Sequence, residues 1–152
     1  ARGMMWLYDK MQYHTNLCQP KTWDFAGYRP QLVILAIGQN DNHPRDYMAQ
    51  DYNGEQALGW RAAYSGFLDT LRGIYPEAHI ICKTTILEHD RSWDRAIEQV
   101  VEEKGDAHIH YFKYSNNSVG TKGHIRRPEA EKMAEELSAY IEGLNTVHGF
   151  WE

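Results

Sequence analysis

The sequence predicts an α/β fold, a three-layer sandwich with a parallel sheet of the flavodoxin-like kind, and three observations carry that expectation. Residues 31–37, Gln-Leu-Val-Ile-Leu-Ala-Ile, are a nearly continuous apolar run between Pro30 and Gly38. Such a run suits a parallel strand covered on both faces. Two further strand-like segments follow, His79–Lys83 and Ala107–Tyr111. Segments with helical periodicity alternate with all three, and strand–helix alternation is the pattern of a parallel sheet with helices on both faces.

Each element has its own local signals. From Gly54 to Tyr75 the residues Ala57, Trp60, Tyr64, Phe67, Leu68, Leu71 and Ile74 recur at helical spacing, and Pro76 ends the pattern. Trp60, Tyr64 and Phe67 are read as core. A second helix is expected over 90–104, with Asp90 or Ser92 at its start and Gly105 just past its end. The last helix starts near Pro128, a suitable first-turn residue. It is expected to bury Ala130, Met133, Ala134, Leu137, Ile141 and Leu144. Between Met4 and Gly27 the pattern supports only a short helix around Met5–Met11 followed by an irregular loop.

Composition narrows the function classes. The 152 residues suffice for one domain with a buried core and are too few for two ordinary ones. Sixteen basic against 21 acidic residues give a formal charge of −5, with no run of five like charges. No nucleic-acid footprint is therefore expected. No apolar run approaches the roughly 20 residues of a membrane span, so no membrane partner is expected either. Cys18 and Cys82 lack metal-ligand spacing. The first residue is Ala1 rather than Met, which reads as a processed or truncated chain.

In a parallel sheet the functional groups gather outside the carboxyl ends of the strands. That rule directs attention to Gly38–His43, Thr84–Arg91 and Tyr114–His124. Gly38-Gln39-Asn40-Asp41 directly follows the first strand. An Asn there offers a preorganised amide N–H to a developing oxyanion; the same residues also make an ordinary polar turn. His124 lies in the loop that opens the last helix, on the same sheet edge. An imidazole there suits a residue that takes a hydroxyl proton and returns it to a leaving group. His43 and His89 fall at strand ends, where they would line a cleft. Trp93 is either a platform for a sugar ring or a core residue of its helix. His108 and His110 share a strand face. Without a third ligand at recognisable spacing they are read as core or cleft histidines, and no metal is expected.

A Gly-x-Asn-Asp block after a buried strand, with a His before the last helix, resembles blocks III and V of the SGNH (GDSL-type) hydrolases. Ala1-Arg2-Gly3-Met4 resembles their block II. The segments around these blocks are most similar to carbohydrate esterase family 2, whose members remove acetyl groups from plant polysaccharides. The resemblance covers essentially the whole chain, and implies a single SGNH-type hydrolase domain over 1–152, in its C-terminal part. It implies Gly3 (backbone N–H) and Asn40 (side-chain amide) as oxyanion donors and His124 as general base and acid. It further implies an acetylated carbohydrate substrate, no cofactor, and secretion.

Two departures stand out. The block I Gly-Asp-Ser segment, which carries the nucleophile, is absent from this sequence, and none of its five serines has that context. The family's usual Asp three residues before the histidine is replaced by Thr121, which leaves a backbone carbonyl to orient the ring. In the strand order 2-1-3-4-5 the run at 31–37 corresponds to the third strand. Its missing neighbour would be the strand bearing the serine, leaving Leu32, Val33, Ile34 and Leu35 on an open edge. A complementary N-terminal segment is therefore expected to supply both. The alternative function is a non-catalytic carbohydrate-binding domain on an esterase scaffold; a third reading is a hydrolase of lipid or small acyl esters.

Overall fold

The computed structural model describes residues 3–11, 21–117 and 124–151. Its sheet has three parallel strands, β1 (Leu32–Ala36), β2 (His79–Lys83) and β3 (Ile109–Tyr111), in the order β1-β2-β3. Leu32 is in register with His79, and Ile80 with Ile109. The helices are α1 (Met4–Leu7), α2 (Tyr47–Gln50), α3 (Glu55–Ile74), α4 (Arg91–Lys104) and α5 (Arg127–His148). Alternation along the strands assigns the two faces. Val33, Leu35, Ile80 and Cys82 point into the core formed with α3 and α4. His79 faces the other way, where His148 of α5 meets it.

The local signals explain most boundaries. Asp90 caps α4 by accepting from Ser92 N, and Gly105 closes it in the left-handed region at φ 58°, where glycine carries no Cβ penalty. At the start of α5, Pro128 sits in the first turn and Glu129 reaches back to accept from Arg126 N at 2.8 Å. The short α2 and a 3-10 turn at Phe25–Gly27 are additional. Four residues and three residues are too short to leave a periodic signal.

The core is built on aromatic packing around β2, whose five residues are all buried. Trp60 stacks on Tyr64 at 4.9 Å and meets Trp93 edge-on at 5.3 Å. Trp60, Tyr64 and Phe67 lie in the core, as their spacing predicts. Cys82 is also buried there, and burial pushes its thiol up to about 12; Cys18 lies outside the described residues.

Two expectations are corrected. None of the α5 residues is fully buried. The helix touches the rest of the described structure through a few side chains, such as Tyr140 against Phe112 at 4.7 Å. Its apolar stripe, from Ala130 to Leu144, is thus only half covered. Nor is β1 covered on both faces: Ile34 is 47% exposed, whereas its register partner Ile81 is 0% exposed. The reason is position, because β1 is the edge strand among the described residues and β2 is central.

Candidate functional site

Because all three strands run in parallel, their carboxyl ends open onto one edge. The connections that leave them carry Asn40, Thr84–His89 and Tyr114–Asn117, and the turn entering α5 carries His124. Side chains tie the first three connections together. Thr85 N donates to Gln39 Oε1 at 3.2 Å, which joins the β1 and β2 loops. The β2 and β3 loops meet on the carboxylate of Asp94, in the first turn of α4.

That carboxylate is 3% exposed as a residue and fully engaged. Thr84 Oγ1 donates to Asp94 Oδ1 at 2.9 Å, His89 Nε2 reaches the same oxygen at 3.0 Å, and Asn117 Nδ2 donates to Oδ2. His89 Nδ1 meets the Leu87 carbonyl at 2.5 Å. Both ring nitrogens of His89 thus face acceptors, which is the pattern of an imidazolium. Burial opposes charge on His89, but the hydrogen bonds to Asp94 and Leu87 and the attraction of Asp94 outweigh it, and its pKa is raised. For Asp94 the same burial is outweighed by His89, Asn117 and Thr84, and its pKa is lowered.

The loop bearing Asn40 is shaped by Gly38. Its φ of +117° lies outside the range of residues with a side chain, and a Cβ there would come within 2.9 Å of Trp60 Cζ2. Beyond it, Asp41 N donates to Gly38 O at 2.9 Å, and the Asp41 carboxylate accepts a side-chain hydrogen bond from Trp60. The turn is therefore held at both ends while Asn40 itself is exposed.

The site residues expected from sequence fall into two groups. Asn40 and His43, in the connection that leaves β1, and His124, three residues before α5, are exposed. Gly3 is exposed at the N-cap of α1, in extended backbone, and no hydrogen bond among the described residues links it to Asn40 or His124. Thr121 lies outside the described residues. Trp93 and His89 belong to the interior instead. Trp93 is 0% exposed, donates from Nε1 to Asp46 Oδ1 at 3.0 Å, and packs against Trp60 and Tyr47. It has no free face for a sugar ring, and of its two readings the structure supports the core one. The His89 side chain is 0% exposed, so it fixes the loops rather than lining a cleft. Sequence reasoning missed Asp94, Thr84 and Asn117; a Thr, an Asp and an Asn spread over three segments carry no spacing signal. Among the described serines, Ser115 Oγ donates to Glu136 Oε1 at 2.6 Å, and Ser65 and Ser138 lie within helices.

His89→Ala should cost about 3–5 kcal/mol of stability, because it strands the Asp94 carboxylate in the interior. Denaturant unfolding of the native protein measures this; an unchanged midpoint would refute the buried pair. The pair's contribution is fullest between the ordinary values of 3.8 for Asp and 6.5 for His. The share of His89 is lost as pH rises through its raised pKa, and that of Asp94 as pH falls through its lowered one.

No known protein-family profile matches the chain. It is 26% identical to the cellulase/esterase CelE of Acetivibrio thermocellus over 129 residues, 78% of this chain and 15% of that protein. Among solved structures, a family two carbohydrate esterase from Cellvibrio japonicus superposes with a TM-score of 0.69 at 24% identity, over 95% of this chain and 41% of that one. The acetyl xylan esterase Est2A from Butyrivibrio proteoclasticus gives a TM-score of 0.65 at 22% identity, over 97% and 46%. A family two carbohydrate esterase from Clostridium thermocellum, solved with cellohexaose, gives 0.66 at 22%, over 99% and 46%. The chain spans less than half the length of each of these proteins, and along almost all of its own length it has the fold of the family two carbohydrate esterases.

Proposed function

We propose that this chain is part of a carbohydrate esterase that removes O-acetyl groups from a polysaccharide or oligosaccharide. The observation that carries the reading is a fold that matches esterases of family two, on a chain whose Gly38–Asp41 turn leaves the carboxyl end of β1 and whose exposed His124 precedes α5. In this reading a serine from outside the chain attacks the acetyl carbonyl while His124 takes its proton. The Asn40 amide and the Gly3 backbone N–H receive the charge that develops on the carbonyl oxygen. As the tetrahedral intermediate collapses, His124 returns the proton to the departing sugar hydroxyl. A water molecule, deprotonated by the same ring, then releases acetate and the free serine. A backbone carbonyl orients His124, and exposed His43 borders the substrate. The edge is open to solvent, as a polymeric substrate requires, and secretion accords with such a substrate. The described residues contain no helix long and apolar enough to cross a membrane.

His124→Ala in the full native protein should lower kcat by at least ~10³-fold with little change in thermal midpoint, since an exposed general base is lost. Near-normal turnover would remove His124 from the mechanism. Asn40→Ala should lower kcat by ~10²-fold or more and leave KM nearly unchanged, because its hydrogen bond strengthens only in the transition state. A loss confined to KM would make Asn40 a ground-state binding residue. Binding of acetylated oligosaccharide without any acetate release by the wild-type protein would favour the non-catalytic binding module.

The edge of β1 supports a complementary strand. Its outer side pairs with no strand among the described residues, and Ile34 is 47% exposed beside it. Natural sheets rarely leave such an edge open. In this reading the segment that bears the serine pairs there. Residues 1–152 expressed alone should aggregate, and co-expression of the preceding segment should restore solubility and esterase activity together. A soluble, cooperatively unfolding monomer of 1–152 would overturn the strand assignment.

A further inference from the structure

At the opposite, N-terminal edge of the sheet four histidines crowd together. His79 opens β2, His108 and His110 flank the start of β3, and His148 ends α5. His79 Nδ1 lies 2.8 Å from His110 Nε2. The rings of His79 and His110 are nearly parallel, with centroids 5.1 Å apart, and the His148 ring is 4.5 Å from that of His79 and 5.8 Å from that of His110. One ring nitrogen from each of His79, His110 and His148 falls within 4.8 Å of the other two.

We propose that His79, His110 and His148 form a binding site for a borderline divalent transition-metal ion, of which Zn²⁺ is the natural case. Tetrahedral coordination with Zn–N bonds of 2.0–2.1 Å places ligand nitrogens about 3.3–3.4 Å apart. The His79–His110 spacing of 2.8 Å lies close to that value, and all three nitrogens lie within 4.8 Å of one another. Imidazole nitrogen suits this class of ion, whereas hard cations such as Mg²⁺ and Ca²⁺ prefer oxygen. Three protein ligands leave a fourth position for water, toward a cavity of about 440 Å³ that borders the cluster and is also lined by Glu77, His108 and Phe150.

The surroundings favour a cation. His148 is the last residue of α5, where the helix carboxyl end carries partial negative charge. Arg72, whose charge acts on His79, is paired with Asp106 at 2.9 Å, and Arg29 shares the bordering cavity with Glu77. Burial, with His108, His110, His148 and Arg72 adding to it, lowers the His79 pKa to about 4, and burial lowers that of His110 as well. Both rings therefore keep a lone pair at neutral pH. Phe150 packs against His79 at 4.5 Å and against His148 at 5.9 Å, and forms an apolar wall. The ion would join α5 to β2 and β3, and α5, although 22 residues long, has no buried residue of its own. The site is distinct from the candidate esterase site and does not depend on that reading.

Calorimetric titration of the chelator-stripped full native protein with Zn²⁺ tests the site. One Zn²⁺ per chain is expected, and its binding should raise the thermal midpoint. His148→Gln, at an exposed helix end, should leave the circular dichroism spectrum unchanged, weaken Zn²⁺ binding by more than ~100-fold and abolish the thermal shift. Co²⁺ bound to the wild-type protein should show the visible bands of a four-coordinate ion, and these should vanish in His110→Gln. Weak binding of several ions per chain, or one-to-one binding unaltered by His148→Gln, would overturn the assignment. Should His110→Gln fail to fold, the His148→Gln titration decides alone.

Discussion

The arrangement of the carboxyl edge depends on one buried carboxylate. Asp94 gathers a hydroxyl, an imidazole and an amide from two different loops onto its two oxygens, and every one of these donors would otherwise need a partner in the interior. An ion pair of this kind brings little net stability, because desolvation cancels much of the attraction. What it brings is geometric constraint. Three loops that leave three strands cannot wander independently when two meet on Asp94 and the third is tied by Gln39 to Thr85. The exposed candidate Asn40 stands on an edge whose interior is fixed by this buried network.

Aromatic packing supplies the second constraint. Gly38 lets β1 turn sharply against the face of Trp60, and Trp60 in turn holds Asp41 and meets Trp93. Trp93 reaches through its indole N–H to Asp46, which also caps α2 by accepting from Ala49 N. The loop after β1 is thus pinned at Asp41 and again at Asp46, with Asn40 just outside the first pin and His43 between the two. A short exposed turn held in this way keeps a polar side chain at a defined position without burying it.

The elements were legible where local chemistry decides structure. Continuous apolar runs, Asp90 and Gly105 at the ends of α4, and Pro128 at the start of α5 all act within a few residues, and each is where its signal places it. Burial was less legible because it depends on what lies opposite. The apolar stripe of α5 predicts a covered helix, yet the described residues cover it only in part. The central strand β2 is buried throughout, whereas β1, with a similar sequence character, is not. The roles of His89 and Trp93 could not be separated from sequence for the same reason. A histidine at a strand end is a cleft residue or an interior cation according to whether a carboxylate faces it, and Asp94 is brought there by the first turn of α4. The histidines at the other edge show the converse. Two were visible as a pair in the 107–111 segment; the third and fourth arrive from β2 and from the far end of α5, 31 and 38 residues away from His110.

The two edges of the sheet are coupled through α5. The turn that enters this helix carries His124 and its last residue is His148, so one rigid element runs from the candidate general base to the histidine cluster. Helices without buried side chains draw little stability from apolar burial and sit at the low end of the local stability scale. A general base at the head of such a helix needs its position fixed by other means, since a misplacement of about 1 Å can cost ~10²-fold in rate. The anchors among the described residues include Glu136 with Ser115 near the middle, Tyr140 against Phe112, and the ring cluster around His148 and Phe150 at the tail. Tyr140 also donates to the Tyr111 carbonyl of β3 at 3.5 Å, and the tail cluster contacts both β2 and β3, so it sets the helix relative to two strands at once. The placement of the candidate general base at the head of α5 is therefore governed in part by aromatic and imidazole packing at its tail.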